Sequence, residues 1–302
     1  MSENSTVLVE NEAILTRRIG DYVLLTKPAI VALLLLTTLC GMILGASGMP
    51  PADIVVLTLL GGALTAGGAG ALNQYVDRSI DRKMVRTRSR PLADDRISPK
   101  EGLIVGLVLS VAGVALLAVG VNLLSALLAV IGLLYYVIFY TIFLKPKTPS
   151  NIVIGGGAGA MPPLVGWAAA TGSLTMPALF LFALIFLWTP PHFWALALLK
   201  RTDYERADIP MLPVIQGSEH TRWQILLYSV QVVALTLLMP LVGFGGLLFI
   251  GVALVLGIGL IHNARKLRQR GQNRVAWRMY RYSSMYLAGI MVALMIDALI
   301  IN

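Results

Sequence analysis

The chain has 302 residues, 57% of them hydrophobic and 13% charged, with a mean hydropathy of +0.79; that composition excludes an ordinary water-soluble enzyme. A net charge of +9 would suggest a nucleic-acid partner in a soluble protein, but here all 24 lysines and arginines fall in gaps between apolar stretches, which excludes it. The single cysteine, Cys40, lies in an apolar run, so neither a disulfide framework nor a cysteine zinc site can form within one chain.

Residues 1–27 hold Glu3, Glu10, Glu12 and Asp21 and no leading apolar run, so neither a signal peptide nor a transit peptide is expected. Nine stretches then follow that are long and apolar enough to cross roughly 30 Å of hydrocarbon as helices. They are 28–47, 52–76, 103–120, 122–144, 151–171, 175–199, 223–241, 243–263 and 282–301. The second carries Gly61, Gly62, Gly67, Gly68 and Gly70, a composition that suits close helix packing. Basic residues occur before the first stretch and then only in alternate gaps: 78–100, 145–147, 200–222 and 265–281. The positive-inside rule therefore predicts an all-α, nine-span protein of the bilayer with its N-terminus cytoplasmic and its C-terminus outside. Residues 28–302 form one intramembrane domain, because no gap is long enough to bury a core of its own. A bacterial-type inner (cytoplasmic) membrane is the compartment expected.

The 15 acidic residues are as unevenly placed. Asn73, Asp77 and Asp81, at the end of the second span, are spaced i, i+4, i+8; on a continuous helix they share a face, with the two aspartates about 6 Å apart along the axis. That pattern suits a hard cation whose remaining positions go to water and phosphate oxygens. A second cluster, Asp203-Tyr-Glu-Arg-Ala-Asp208, follows the sixth span. Simple pairing with nearby arginines, worth at most about 1 kcal/mol a pair, would account for the same acids equally well.

Longer blocks carry more information. Asn73-Gln-Tyr-Val-Asp77-Arg-Ser-Ile-Asp81, with Arg86, Arg90 and Pro91 beyond it, resembles the first aspartate-rich motif of the intramembrane UbiA-type prenyltransferases. The segments Leu144-Lys145…Thr148-Pro149-Ser150-Asn151, Ala158-Gly159-Ala160-Met-Pro162-Pro163, Trp188-Thr189-Pro190-Pro191-His192-Phe193-Trp194 and Ile209-Pro210-Met211-Leu212-Pro213-Val214 resemble, more narrowly, the protoheme IX farnesyltransferase (heme O synthase) branch. The resemblance implies nine helices around a central cavity, with the two acidic motifs facing each other at the cytoplasmic mouth. It implies Mg2+ held by Asn73, Asp77, Asp81 and Asp203, transfer of the farnesyl group of farnesyl diphosphate to a vinyl group of heme B, and water addition to give heme O. It also implies a heme A synthase or terminal-oxidase assembly partner.

Asp208 departs from the superfamily's i, i+4 spacing and is carried as a further metal ligand. Arg86, Arg90, Lys145 and Lys200 are candidate diphosphate contacts, although topology alone would also place them there. His192 follows a Pro-Pro break in the sixth span and either meets the heme or bonds carbonyls freed by the prolines. Trp188 and Trp194 either flank the macrocycle or pack. Gly155-Gly-Gly-Ala-Gly159 lacks the Lys-Ser/Thr of a phosphate loop and suits helix packing or room for a bulky ligand. His220 and His262, near the basic gaps, attract no role. Competing readings are a prenyltransferase with a quinone-precursor or chlorin acceptor, and a transporter. The clustering of acids at one face weighs against the transporter; Asp297, in the last span, is the exception.

Overall fold

Lys27 adopts a left-handed conformation (φ 56°), and Pro28 after it is suited only to begin a new helix. The computed structural model, which describes residues 17–301, accordingly shows a helix over residues 17–25 (α1) and then α2 (Pro28–Gly45), α3 (Ala52–Lys83) and α4 (Pro99–Gly120). α5 (Leu123–Leu134) widens without a break into a π-helical segment, Tyr135–Leu144. α6 (Asn151–Thr171), α7 (Met176–Leu199), the short α8 (Arg201–Arg206) and α9 (Leu212–Ile215), α10 (Gly217–Leu238), α11 (Leu247–Arg270) and α12 (Asn273–Ile301) complete the chain. Nine helices among the described residues are long and apolar enough to span a bilayer, one for each predicted stretch.

Local chemistry sets the starts. Ser98 and Glu101 form a reciprocal capping box at α4, and Asn122 accepts from the Ser125 amide at α5. The ends of several helices lie beyond the apolar runs: α3 continues from 76 to Lys83, α10 begins at Gly217, α11 reaches Arg270 and α12 begins at Asn273. Hydropathy marks where side chains meet hydrocarbon, whereas the backbone keeps its own hydrogen bonds by remaining helical into the headgroups. With 32 residues α3 is about 48 Å long, well over the hydrocarbon thickness, and its overhang carries Asp77 and Asp81.

Each spanning helix packs on its neighbour in sequence, and α12 returns to α7 and α2. α2 also packs along α6, so α2–α6 form one ring of helices, α7–α12 a second, and α2, α6, α7 and α12 the seam between them. Small residues allow the closest approaches. A Cβ on Gly166 would collide with the Thr38 carbonyl oxygen, and one on Gly41 with that of Pro163. The glycines of the second span serve the same purpose, Gly68 meeting Ser110 of α4. Pro190 and Pro191 lie inside an unbroken α7, against the expected break; both are buried, and packing on α6, α10 and α12 holds the helix through them. Cys40 is a free, buried thiol. At the end of the bundle away from the basic loops, Asp297 is buried and its Oδ2 accepts from the Gly246 amide that opens α11. It caps a helix rather than marking an ion path.

Candidate active site

Asn73, Asp77 and Asp81 share one face of α3, and all three are buried. The Asn73 amide donates to Asp77 Oδ2 and to Thr141 Oγ1, each at 2.9 Å, and its Oδ1 accepts from Lys27 Nζ. Lys145 Nζ lies 2.6 Å from Asp77 Oδ2, and Arg90 Nη1 lies 2.7 Å from Asp81 Oδ2. Lys27 also reaches the Tyr136 hydroxyl at 3.1 Å. The loop that presents Arg86 and Arg90 is clasped from α1, where buried Asp21 pairs with Arg96.

The π-helical segment brings the second wall into register. In an α-helix, Tyr136 and Lys145 would stand about 180° apart at 3.6 residues per turn. With the wider i to i+5 turn, the Thr141 hydroxyl bonds the Tyr136 carbonyl and the Lys145 amide bonds that of Tyr140. Tyr136, Thr141 and Lys145 consequently touch Lys27, Asn73 and Asp77 in turn. Gly155 and Gly157 of α6 admit the rings of Tyr140 and Tyr135 behind them, and Gly156 admits Thr189; only Gly159 in this run faces open space.

The second motif is the short α8. Asp203 and Tyr204 are buried, and the Arg86 guanidinium lies near the Tyr204 hydroxyl across the gap to the first motif. Arg206 Nη1 stands 4.0 Å from Asp203 Oδ1. Asp208 is not gathered with Asp203. Its spacing of five residues carries it past the helix end into a left-handed turn (φ 55°), where its exposed carboxylate pairs with Lys83 at 3.3 Å. Lys200 lies half-buried between α7 and α8 and makes no ion pair among the described residues.

Cations at this end outnumber carboxylates: Lys27, Lys145, Arg86 and Arg90 stand beside Asp77, Asp81 and Asp203, a balance suited to a polyanion. Burial, with Arg90 acting in the same direction, pushes the Lys27 ammonium down to about 7, while Asp77 and Asp81 oppose the shift. No three His, Cys, Asp or Glu side chains converge among the described residues. The donor set nevertheless fits Mg2+, which takes one or two carboxylates and leaves its other positions to water and phosphate. Asp77 Oδ1 is a buried oxygen without a partner, a hard donor left available on the shared face.

The residues expected near the macrocycle divide. His192 is buried, stacked between Trp188 and Tyr280 at ring separations of 4.4 and 4.5 Å. Its Nδ1 lies 2.8 Å from Ser283 Oγ, and Trp188 Nε1 donates to the Ser283 carbonyl at 2.6 Å, so both are knit to α12. Trp194 points elsewhere: it packs edge-on against Tyr228 of α10 and lines a cavity of about 170 Å3 with Ser150, Gln216, His220 and Gln224.

Lys27, Tyr136, Thr141 and Tyr204 are participants that sequence reasoning missed. Lys27 read as a topology charge. The Tyr135–Leu144 run read as apolar span, although its three tyrosines and one threonine are a polar signal inside it.

Residues 34–290 match the UbiA prenyltransferase family. The chain is 48% identical over 295 residues to a protein of Roseiflexus sp. (strain RS-1) named protoheme IX farnesyltransferase, covering 98% of this chain and 55% of that one. It is 47% identical over 281 residues to the Symbiobacterium thermophilum protein of the same name, covering 92% and 94% respectively. It thus spans about half the length of the Roseiflexus relative and nearly all of the Symbiobacterium one. The fold is shared with a solved digeranylgeranylglyceryl phosphate synthase (TM-score 0.76, 17% identity, 93% of this chain and 99% of that one). It is shared also with a UbiA homologue from Archaeoglobus fulgidus bound to GPP and Mg2+ (TM-score 0.65, 18% identity, 91% and 99%). With nine helices of spanning length among the described residues and this likeness over most of its length, the chain is a multi-pass membrane protein that belongs to the UbiA prenyltransferase family.

Proposed function

We propose that the chain is a Mg2+-dependent farnesyltransferase that joins C1 of farnesyl diphosphate to a vinyl group of heme B and yields heme O and diphosphate. The observation that carries this reading is the cation-rich, carboxylate-floored cluster at the end of α3 in a chain 46–48% identical to proteins named for that reaction.

Asn73, Asp77 and Asp81 would hold the metal from one side and Asp203 from the other. The bound ion would supply neutralisation of the leaving diphosphate, a Lewis-acid contribution of several kcal/mol. Lys145, Arg90, Arg86 and Lys27 orient the diphosphate and take up the charge that gathers on it as the allylic C–O bond breaks with its electron pair. The vinyl terminal carbon attacks the farnesyl cation, forming the new C–C bond. The positive charge passes to the carbon next to the pyrrole ring, and water adds there with loss of a proton. Apolar helix faces around the prenyl chain keep water from the first cation. Basic residues at the same end agree with a cytoplasmic mouth in a bacterial-type inner membrane.

The test is incubation of purified, detergent-solubilised protein with heme B, farnesyl diphosphate and Mg2+, with an EDTA control, followed by mass analysis of the extracted hemes. A new heme carrying a hydroxyethylfarnesyl group, absent with EDTA, is expected. A folded sample that prenylates an aromatic acceptor and leaves heme untouched would remove heme as the acceptor.

A further inference from the structure

We infer that the cavity between the start of α6, the end of α7, α9 and the start of α10 receives the propionate carboxylates of the heme acceptor; this rests on the function proposed above and names a subsite of it.

The first ground is chemical. Ser150, Gln216, His220, Gln224 and Trp194 offer a hydroxyl, two amides, an imidazole and an indole N–H, and no carboxylate lines the cavity. Trp194 is 2% exposed and its Nε1, a donor only, is buried with no partner. Such an orphan donor calls for an acceptor from outside the chain. Gln224 Nε2 donates to His220 Nε2 at 3.3 Å on the α10 wall, which leaves the second N–H of the same amide for an incoming acceptor. A volume of about 170 Å3 equals roughly six waters at their share of liquid volume, room for carboxylates but not for the macrocycle.

The second ground is geometric. Prenyl transfer bonds C1, the carbon that carries the diphosphate, to the vinyl group, so the vinyl must come to the Asp77–Lys145 cluster. Propionates leave the opposite half of the rigid porphyrin, and as anions they cannot rest in hydrocarbon. They need donors at the same depth as the diphosphate but displaced sideways. The elements that line this cavity follow directly in the chain from both walls of that cluster: Ser150 lies five residues beyond Lys145, before α6, and Leu212 nine beyond Asp203, in α9. Its neutral donors also sort the two substrates. Diphosphate is held more strongly by the neighbouring ammonium and guanidinium groups, which leaves the uncharged cavity to the weaker anion.

Spectral titration of the purified full chain with heme B and with heme B dimethyl ester tests this, in parallel with farnesyl diphosphate binding. The wild-type chain should bind the free acid at least tenfold more tightly than the ester. Trp194→Phe, which keeps an aromatic ring and deletes the N–H, should narrow that ratio. A Gln216→Leu/Gln224→Leu variant should bring it close to one, with ester and farnesyl diphosphate affinities unchanged. Equal wild-type affinity for acid and ester overturns the assignment without any variant, as does a ratio that survives in a variant still binding the ester normally. If the acid is preferred, the variants narrow the ratio and no farnesylated heme forms, the proposed function falls and heme carboxylate binding at the cavity stands. If farnesylated heme forms and the ester is bound equally well, only the cavity assignment falls.

Discussion

Asp77 is the residue on which most of the site converges. One of its oxygens holds Lys145 and Asn73, and the other is buried without a partner. Deleting the carboxylate leaves Lys145 without its ion-pair partner, with Asp81 alone beside Lys27 and Arg90, and removes the donor expected to face the metal. Asp77→Ala should therefore lower prenyl transfer by about 100-fold or more, the scale of losing a transition-state electrostatic contact, while circular dichroism in detergent keeps the helical spectrum. Asp208→Ala is the contrasting variant. Its carboxylate is 83% exposed and pairs with Lys83 at the surface, so turnover should stay within about twofold, the weight of an exposed ion pair. A loss from Asp208→Ala as large as that from Asp77→Ala would mean that the turn at Asp208 folds inward to the site. Residue chemistry was partly legible beforehand: i, i+4, i+8 spacing placed Asn73, Asp77 and Asp81 on one buried face because α3 is a regular helix. The same spacing logic lost Asp208, since a helix of six residues ends before a fifth-residue partner can align.

At the scale of elements, span number and order followed from hydropathy, and the basic residues cluster ahead of α2 and at alternate connections between the spans. The site's second wall was not legible, because period-3.6 reasoning assigns Tyr136 and Lys145 to opposite faces and only the π-helical turns reunite them. Glycine content, by contrast, forecast close packing correctly, though not which pairs would meet. The α2–α6 contact is the sharpest case. Any side chain at Gly166 meets the Thr38 carbonyl, a rigid backbone atom that cannot move aside as a side-chain tip could. Gly166→Ala should cost about 1–3 kcal/mol of stability, as overpacking does in tightly fitted interiors, read as a lowered unfolding temperature in detergent. Gly159→Ala, whose added methyl would have nothing within 4 Å of it, should leave that temperature unchanged. Because Ala is favoured over Gly in a helix interior, equal losses for the two would show that something other than the seam between the rings governs unfolding.

Across the whole molecule the cations serve two different ends. Near the first motif they pair with acids: Arg18 with Glu101, Arg82 with Asp95, Arg96 with Asp21, Arg90 with Asp81 and Lys145 with Asp77. The seven lysines and arginines from Arg265 to Arg281 make no ion pair among the described residues, and the sequence offers no Asp or Glu between Glu219 and Asp297 to neutralise them. Arg268 instead stacks 4.0 Å over the exposed ring of Trp223, an arrangement suited to a headgroup layer where aromatic and basic side chains mix. Unneutralised cations of this kind gain about 1 kcal/mol each beside an anionic cytoplasmic leaflet, a gain that favours insertion of α11 and α12 with their connection on that side. A reporter that matures only in the cytoplasm should thus be silent when fused after residue 302, and one that is active only outside should report. Replacing Arg265, Lys266, Arg268 and Arg270 with glutamine should weaken that bias and yield a mixed population. Cytoplasmic activity of the C-terminal fusion on the unaltered chain would reverse the orientation, and with it the side from which farnesyl diphosphate reaches Asp77.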